Sequence, residues 1–300
     1  MKAKSMTHAT WLSVLILTFP LGCGGPGPVG GPPPTPFWID GETEDHVEPP
    51  DGSAPVDGVG PDDTVLVPSD AESYYVSVRV NREITQDPSP FGDDWAESLT
   101  ASIGLIKIVW DGDIGTRWEQ VCAMWSNRVH GSQILYSAAF VASIPVDPIP
   151  ITRSGGVLSE ASDRQWIGLE AGYEDNMPTP GDATHPALVD TDLDGNPGAT
   201  VDIAMSLFGN QKLFIAQRTH ISWSAQPDGA GYLYAEPTVV SERSVVGATM
   251  DVLLTETRSQ SPTEKPEDTL EWYPLASPIS CEELLADVTS WTGADWPPTD

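Results

Sequence analysis

Basic residues are scarce in this chain of 300 residues, which has 14 Lys and Arg against 44 Asp and Glu. The formal net charge of -30 repels phosphate, so the composition excludes nucleic-acid binding through a basic surface. No apolar run reaches the length that a membrane-spanning helix requires. Hydrophobic residues, at 39%, still suffice for a folded core.

Motifs of the common enzyme classes are also missing. The chain has no H-E-x-x-H, no G-x-S-x-G and no phosphate-binding Walker loop. The many acidic residues make any pair of carboxylates uninformative about glycoside chemistry. The sequence therefore names no reaction and predicts no organic cofactor, and whether the protein is an enzyme stays open.

The N-terminus carries a targeting signal. Lys2 and Lys4 precede a short apolar run from Trp11 to Pro20, which suits the core of a signal peptide. The junction Leu21-Gly22-Cys23 resembles the lipobox of bacterial lipoproteins, although Pro20 stands where that motif usually has Leu. The resemblance implies that residues 1–22 are a signal peptide and that Cys23 is lipidated. An ordinary cleaved signal peptide is the alternative.

Residues 23–70 are predicted to be a disordered tether. Residues 24–70 include 11 Pro and 9 Gly but no Lys or Arg. Such a segment cannot bury enough apolar surface to offset the entropy of ordering it, and as a coil it spans about 40 Å. We expect it to hold a domain away from a membrane, at the outer membrane or the cell surface, with the periplasmic face as an alternative.

Residues 71–292 are predicted to form one all-β domain. Tyr74, Val76 and Val78 alternate with polar residues, and a series of similar runs gives about nine or ten strands joined mostly by short turns. A long meander can hide its edges by closing, so we expect a single antiparallel up-and-down β-barrel, with a two-sheet sandwich as the alternative. A small barrel either holds one small ligand or is filled by side chains.

Only one helix is predicted, near the C-terminus. Ser280 and Glu283 have the spacing of a capping box, and an apolar stripe follows them. The apolar run from Gln133 to Ile144 is predicted to be a strand, and residues 293–300 are predicted to be a tail.

The three cysteines predict one disulfide. If Cys23 carries lipid, Cys122 and Cys281 remain as a pair in an oxidising compartment. A bond between them would attach the terminal helix to the β domain. Two buried free thiols, or a nucleophilic Cys122 near His130, are the alternatives.

An acidic loop predicts a metal site. Asp190, Asp192 and Asp194 are spaced by two residues and followed by Gly195, a pattern that resembles the calcium loops of EF-hands and thrombospondin-type repeats. The resemblance implies a structural Ca²⁺ held by these three residues and Asn196. The EF-hand's bidentate Glu is missing, and a solvated acidic loop is the alternative.

The overall organisation resembles a group of uncharacterised Gram-negative lipoproteins. The shared features are the lipobox-like signal, the Pro/Gly/acidic tether and the D-x-D-x-D-G loop at 190–195. The resemblance implies a location and a lipocalin-like barrel, and it implies no activity.

A polar group on one predicted strand is a candidate ligand patch. Arg218, His220 and Ser222 alternate along it, and if they face the barrel lumen they can bind an anionic or hydroxylated ligand. If they face water, they are ordinary exterior residues.

Two classes of function follow. The favoured class is a lipid-anchored, non-enzymatic binding or structural domain whose partner is a small ligand or a protein. The alternative is a hydrolase of envelope glycans or lipids with unidentified carboxylates. The oligomeric state stays open.

Overall fold

The computed structural model describes residues 72–86, 95–254, 259–260 and 268–297. The predicted signal peptide at 1–22, the lipidated Cys23 and the tether at 23–70 lie outside these residues. Residues 298–300 of the predicted tail also lie outside them.

The described residues form twelve β-strands and three short α-helices. The strands are β1 (Glu72–Gln86), β2 (Trp95–Asp111), β3 (Ile114–Ser126), β4 (Ser132–Leu135), β5 (Ile149–Ser154), β6 (Val157–Ile167), β7 (Ala199–Met205), β8 (Gly209–Ala225), β9 (Leu233–Ala235), β10 (Thr238–Ala248), β11 (Ser259–Gln260) and β12 (Thr269–Leu275). The helices are α1 (Ala138–Ala142), α2 (Cys281–Ala286) and α3 (Val288–Thr292).

All of these strands belong to one antiparallel sheet, which confirms the all-β class. The strand order is β4-β7-β8-β6-β5-β3-β2-β1-β12-β9, with β10 on β8 and β11 on β1. This order has two separate ends, so the described strands do not close into the predicted barrel. The pairing of β8 contributes to the open arrangement, because its first half pairs with β7 and its second half pairs with β6. The divided pairing branches the sheet instead of continuing a simple meander.

One face of the sheet encloses a filled apolar core. Its buried residues come from seven strands (β1, β2, β5, β6, β8, β9 and β12), so the sheet must curve around them. Trp223 and Trp272 meet edge to face in this core, with ring centroids 4.8 Å apart. Trp272 is 1% exposed, and Leu233 from β9 is fully buried beside it. Side chains therefore occupy the interior, where a lipocalin-like barrel would hold its ligand.

The terminal helices pack against the other face of the sheet. Cys281 and Leu284 of α2 are buried against Val76 and Leu105 of the first two strands. The predicted capping box is present, because Ser280 N–H donates to Glu283 Oε2 at 2.7 Å and Glu283 N–H donates to Ser280 Oγ at 3.1 Å. The helical prediction at this end is confirmed, although the structure adds a second short helix, α3.

The predicted strand from Gln133 to Ile144 is wrong in its second half. Only Ser132–Leu135 is extended, and the run then turns into α1. Ser137 Oγ accepts the N–H of Phe140 at 3.0 Å, which caps the helix, and Phe140 is 2% exposed. A short apolar run suits a buried strand or a buried helix equally, so periodicity could not decide between them.

The predicted disulfide between Cys122 and Cys281 is confirmed. The two Cα atoms lie 5.3 Å apart, in the usual range for a disulfide, and the bond joins residues 159 apart in the chain. It attaches the first residue of α2 to β3 and therefore fixes the terminal helices on the sheet. Within the described residues, no helix is long and apolar enough to cross a membrane.

Replacing both Cys122 and Cys281 by Ser should lower the free energy of unfolding by about 2–5 kcal/mol, because the unfolded chain loses a long covalent loop. Urea denaturation of the variant and of the oxidised parent measures the difference. Intact-mass analysis should show that both thiols of the folded parent resist alkylation until a reductant is added. Two alkylated thiols before reduction would contradict the pairing.

Candidate functional site

The acidic loop brings its three aspartates together. Ligand oxygens of Asp190, Asp192 and Asp194 all lie within 4.8 Å of one another, so the group can hold a metal ion. The turn that aims them inward uses Gly195 at φ 86°, where an L side chain would be strained. Hydrogen bonds from the backbone N–H groups of Asp194 (3.1 Å) and Gly195 (2.8 Å) to the Asp190 carboxylate hold this turn.

Two further contacts tie the loop to the sheet. Asp192 Oδ2 accepts the backbone N–H of Thr200 in β7 at 3.0 Å, and Lys212 Nζ in β8 lies 4.0 Å from Asp194 Oδ2. Asn196, the fourth predicted ligand, donates from Nδ2 to Asp194 Oδ2 at 2.8 Å. Its contact orients a neighbouring carboxylate, and its role as a metal ligand stays a prediction.

The carboxylates of the loop differ in their electrostatic setting. Burial raises the pKa of Asp192, and the nearby charge of Asp194 adds to the rise. Burial also opposes the charge on Asp194, but hydrogen bonds from Asn196 outweigh it and lower the pKa of Asp194. A bound cation would favour ionised Asp192, since an opposite charge stabilises a carboxylate.

The predicted patch on β8 faces outward. Arg218, His220 and Ser222 lie on the face opposite the buried Ile221 and Trp223, so they do not line the core. Arg218 pairs with Glu242 and donates to the carbonyl of Asp175 at 2.8 Å, while His220 Nε2 lies 3.8 Å from Glu174 Oε2. The contacts of the patch are thus those of an outer polar surface, and ligand binding at the patch stays a prediction.

A buried charge cluster, absent from the sequence predictions, lies on the inner side of the sheet. Arg117 on β3 is 1% exposed and donates to three carboxylates. Nε reaches Glu160 Oε2 at 2.7 Å, Nη1 reaches Glu119 Oε2 at 2.7 Å, and Nη2 reaches Asp163 Oδ2 at 2.9 Å. Arg79 on β1 donates to the same Glu119 oxygen at 3.0 Å. The cluster links β1, β3 and β6.

A β-bulge in β6 makes this cluster geometrically feasible. Glu160 pairs with Trp223 and Asp163 pairs with Ile221, so the two residues between the acids on β6 lie opposite the single residue Ser222 on β8. Side chains three residues apart point to opposite faces of a regular strand, and the bulge turns both acids toward Arg117. The sequence signal is limited to Arg117 and Glu119, two opposite charges two residues apart, a spacing that places both on one face of a strand.

The pKa values of two acids in the cluster, Glu119 and Glu160, are shifted in opposite directions. Burial alone would raise the pKa of Glu119, but the charges of Arg79 and Arg117 outweigh it and hold that pKa below its usual value. Burial raises the pKa of Glu160, and the charge of Arg117 offsets only part of the rise. Glu160 and Asp163 are a pair of neighbouring carboxyl groups, yet both are bound to Arg117 and are 1% and 0% exposed. Their shared partner gives them a structural role.

Comparison with known proteins supplies no relative. No protein-family model, curated protein or solved structure matches the chain. The functional argument therefore depends on the residues themselves.

Replacing Arg117 by Met should lower the free energy of unfolding by about 3–5 kcal/mol, because the buried Glu160 and Asp163 lose their cation and Glu119 keeps only Arg79. Arg164→Met is the matched control: this side chain is on the same strand as Glu160, is 48% exposed and pairs with Glu174. The control should cost less than about 1 kcal/mol. Urea denaturation measures both, and equally small losses would show that the cluster does not stabilise the fold.

Proposed function

We propose that this protein is a lipid-anchored, extracytoplasmic lipoprotein whose β domain acts by binding a ligand or partner at its surface. Cys23 carries the anchor, and residues 24–70 hold the domain away from the outer membrane or cell surface. The domain performs no reaction in this proposal. The filled interior supports a surface role over a lipocalin-like lumen, because buried side chains occupy the core.

The observation that carries the proposal is the disulfide. Cys122 and Cys281 pair with each other, which leaves Cys23 as the one cysteine available for lipid in this chain of three. Disulfides persist in oxidising compartments and are rare in the cytosol. The bond therefore supports export of the domain, and export is what a lipobox-like signal requires.

Calcium at the acidic loop is the second part of the proposal. Three carboxylates within 4.8 Å repel one another in a chain that is already strongly acidic, and a hard divalent cation relieves that repulsion. Asp192 is hydrogen-bonded to the start of β7, so ion binding would stabilise the β7–β8 hairpin. Weak affinity suffices, since extracellular calcium sites work in the millimolar range.

Replacing Cys23 by Ser should release the protein from the membrane fraction, because one covalent lipid modification is the proposed attachment. The matched control is the Cys122→Ser/Cys281→Ser double variant, which should stay in the membrane pellet. Ultracentrifugation followed by immunoblotting measures the distribution, and mass spectrometry of the N-terminal peptide detects the acyl chains. A soluble parent protein with an unacylated N-terminus would contradict the anchor.

Calcium should raise the melting temperature, because an ion that binds only the folded state stabilises it by mass action. At a hundred times the dissociation constant, the gain is about 2.7 kcal/mol. Asp192→Ala should abolish the rise, whereas Asp175→Ala, at an exposed acid in the preceding loop, should preserve it. Magnesium should do less, because it dehydrates reluctantly and demands octahedral ligands. Identical melting curves in calcium and in chelator would contradict the site.

A further inference from the structure

The buried cluster around Arg117 contains more acids than bases. Two guanidinium groups, those of Arg79 and Arg117, face the three carboxylates of Glu119, Glu160 and Asp163. Two positive charges against three negative ones give the fully ionised cluster a net charge of -1. Water does not offset this excess, because the three acids and Arg117 are buried. A buried carboxyl group without a counter-charge avoids the desolvation penalty by binding a proton.

The three acids differ in the number of donors that hold their charged form. Glu119 Oε2 accepts from two guanidinium groups, at 3.0 and 2.7 Å. Asp163 Oδ2 accepts from Arg117 at 2.9 Å and from Gln165 at 3.2 Å. Within the described residues Glu160 accepts one hydrogen bond, from Arg117 Nε to Oε2 at 2.7 Å. Because hydrogen bonds to a carboxylate favour its ionised form, Glu160 is the acid that binds a proton most readily.

The remaining oxygens of Glu160 and Asp163 point to the same assignment. Glu160 Oε1 and Asp163 Oδ1 are buried and accept no hydrogen bond from the part of the chain that the structure describes. Asp163 borders a cavity of about 10 Å³, which has room for about one water molecule. Glu160 is not among the described residues that line this cavity. A proton on Glu160 Oε1 removes the excess charge, and Oε2 stays available to Arg117.

The elements packed against Glu160 do not supply a second positive partner. Arg117 is the one cation within ion-pair distance of Glu160 among the described residues. The uncharged Trp223 of β8 lies opposite Glu160 in the sheet, and the neighbouring residue from β5 is Pro150. Glu236, in the link between β9 and β10, is a further acid near Glu160, since both border one surface groove. The surroundings therefore favour the neutral form of Glu160.

The balance of these influences on the pKa of Glu160 is upward. Burial raises this pKa, and the charge of Arg117 lowers it. The charge of Asp163 raises it again, and the smaller influence of Arg79 lowers it. The direction agrees with the hydrogen-bond pattern, in which Glu160 has fewer donors than either of the other two acids.

We propose that the folded domain keeps one proton on Glu160 at neutral pH, while Glu119 and Asp163 stay ionised and share the two guanidinium groups. The cluster is then neutral, and Arg117 Nε still donates to Glu160 Oε2. The proton comes from solvent when the chain folds and returns to solvent when the chain unfolds. This inference goes beyond the proposed surface-binding function and rests on neither the lipid anchor nor calcium.

A proton held in this way makes the stability of the domain depend on pH. In the unfolded chain Glu160 ionises near its usual pKa of 4.5, whereas burial raises its pKa in the folded domain. Between these two values the folded state holds one proton more than the unfolded state, so the free energy of unfolding falls as the pH rises. Below 4.5 the stabilising contribution of Glu160 is fully present. Within the window, each pH unit should multiply the equilibrium constant for unfolding by about ten.

Urea denaturation of the full-length, oxidised protein in a neutral detergent, from about pH 5 to about pH 8, tests the proton site. Glu160→Gln replaces the protonated acid by a neutral side chain of similar shape. Variant and parent should unfold alike at the acidic end of this range. As the pH rises, the unfolding constant of the parent should increase relative to that of the variant by about tenfold per unit. The variant should therefore be the more stable protein at the alkaline end.

Glu72→Gln is the matched control. Glu72 is also a strand glutamate with a basic partner, Lys107 at 2.9 Å, but its side chain is 41% exposed. Hydrogen bonds from Tyr74 and Lys107 lower the pKa of Glu72, so this residue is ionised in both states across the tested range. The ratio between the unfolding constants of this variant and the parent should stay constant with pH. Comparison with the parent cancels the other titrating groups.

Infrared spectroscopy in heavy water detects the proton without unfolding the protein. At neutral pH the parent should show the carbonyl stretch of a protonated carboxylic acid, which Glu160→Gln should lack and Glu72→Gln should retain. Absence of this band from the parent would overturn the inference, as would a ratio between parent and Glu160→Gln that does not change with pH. Loss of the band in Asp163→Asn but not in Glu160→Gln would place the proton on Asp163 and overturn the assignment.

Discussion

The interior of this domain depends on the guanidinium of Arg117. A charge without water is costly unless it is paired and hydrogen-bonded, and here three nitrogens of one side chain each have a carboxylate partner. The geometry uses the planar fork of arginine, which a lysine could not reproduce. Because its partners come from β3 and β6, the cluster holds together two strands that β5 separates over only a short length.

The same constraint explains why the sheet is irregular. Glu160 and Asp163 reach Arg117 together only because β6 bulges between them. The bulge therefore places both acids on the inner side of the sheet, where they share one guanidinium. A regular strand would direct one of the two acids away from the core.

The filled core determines where binding can occur. Trp223, Trp272 and Leu233 occupy the concave side of the sheet, and the terminal helices cover part of the other face. The loops and the outward-facing side chains of the strands remain accessible, and the converging aspartates lie in one of these loops. This arrangement favours binding at the surface of the domain over binding inside the sheet, because side chains occupy the interior.

Features that depend on local chemistry were predictable before any long-range contact was known. Alternation in β1, the capping box at Ser280, the pairing of Cys122 with Cys281 and the acidic turn follow from neighbouring residues or from counting. Features that depend on pairing between distant segments could not be predicted in this way. The open sheet, the helix at Phe140 and the burial of Arg117 each required knowing which strands become neighbours. Side-chain periodicity reports the two faces of a strand, and it cannot report a bulge or which partner lies across the sheet.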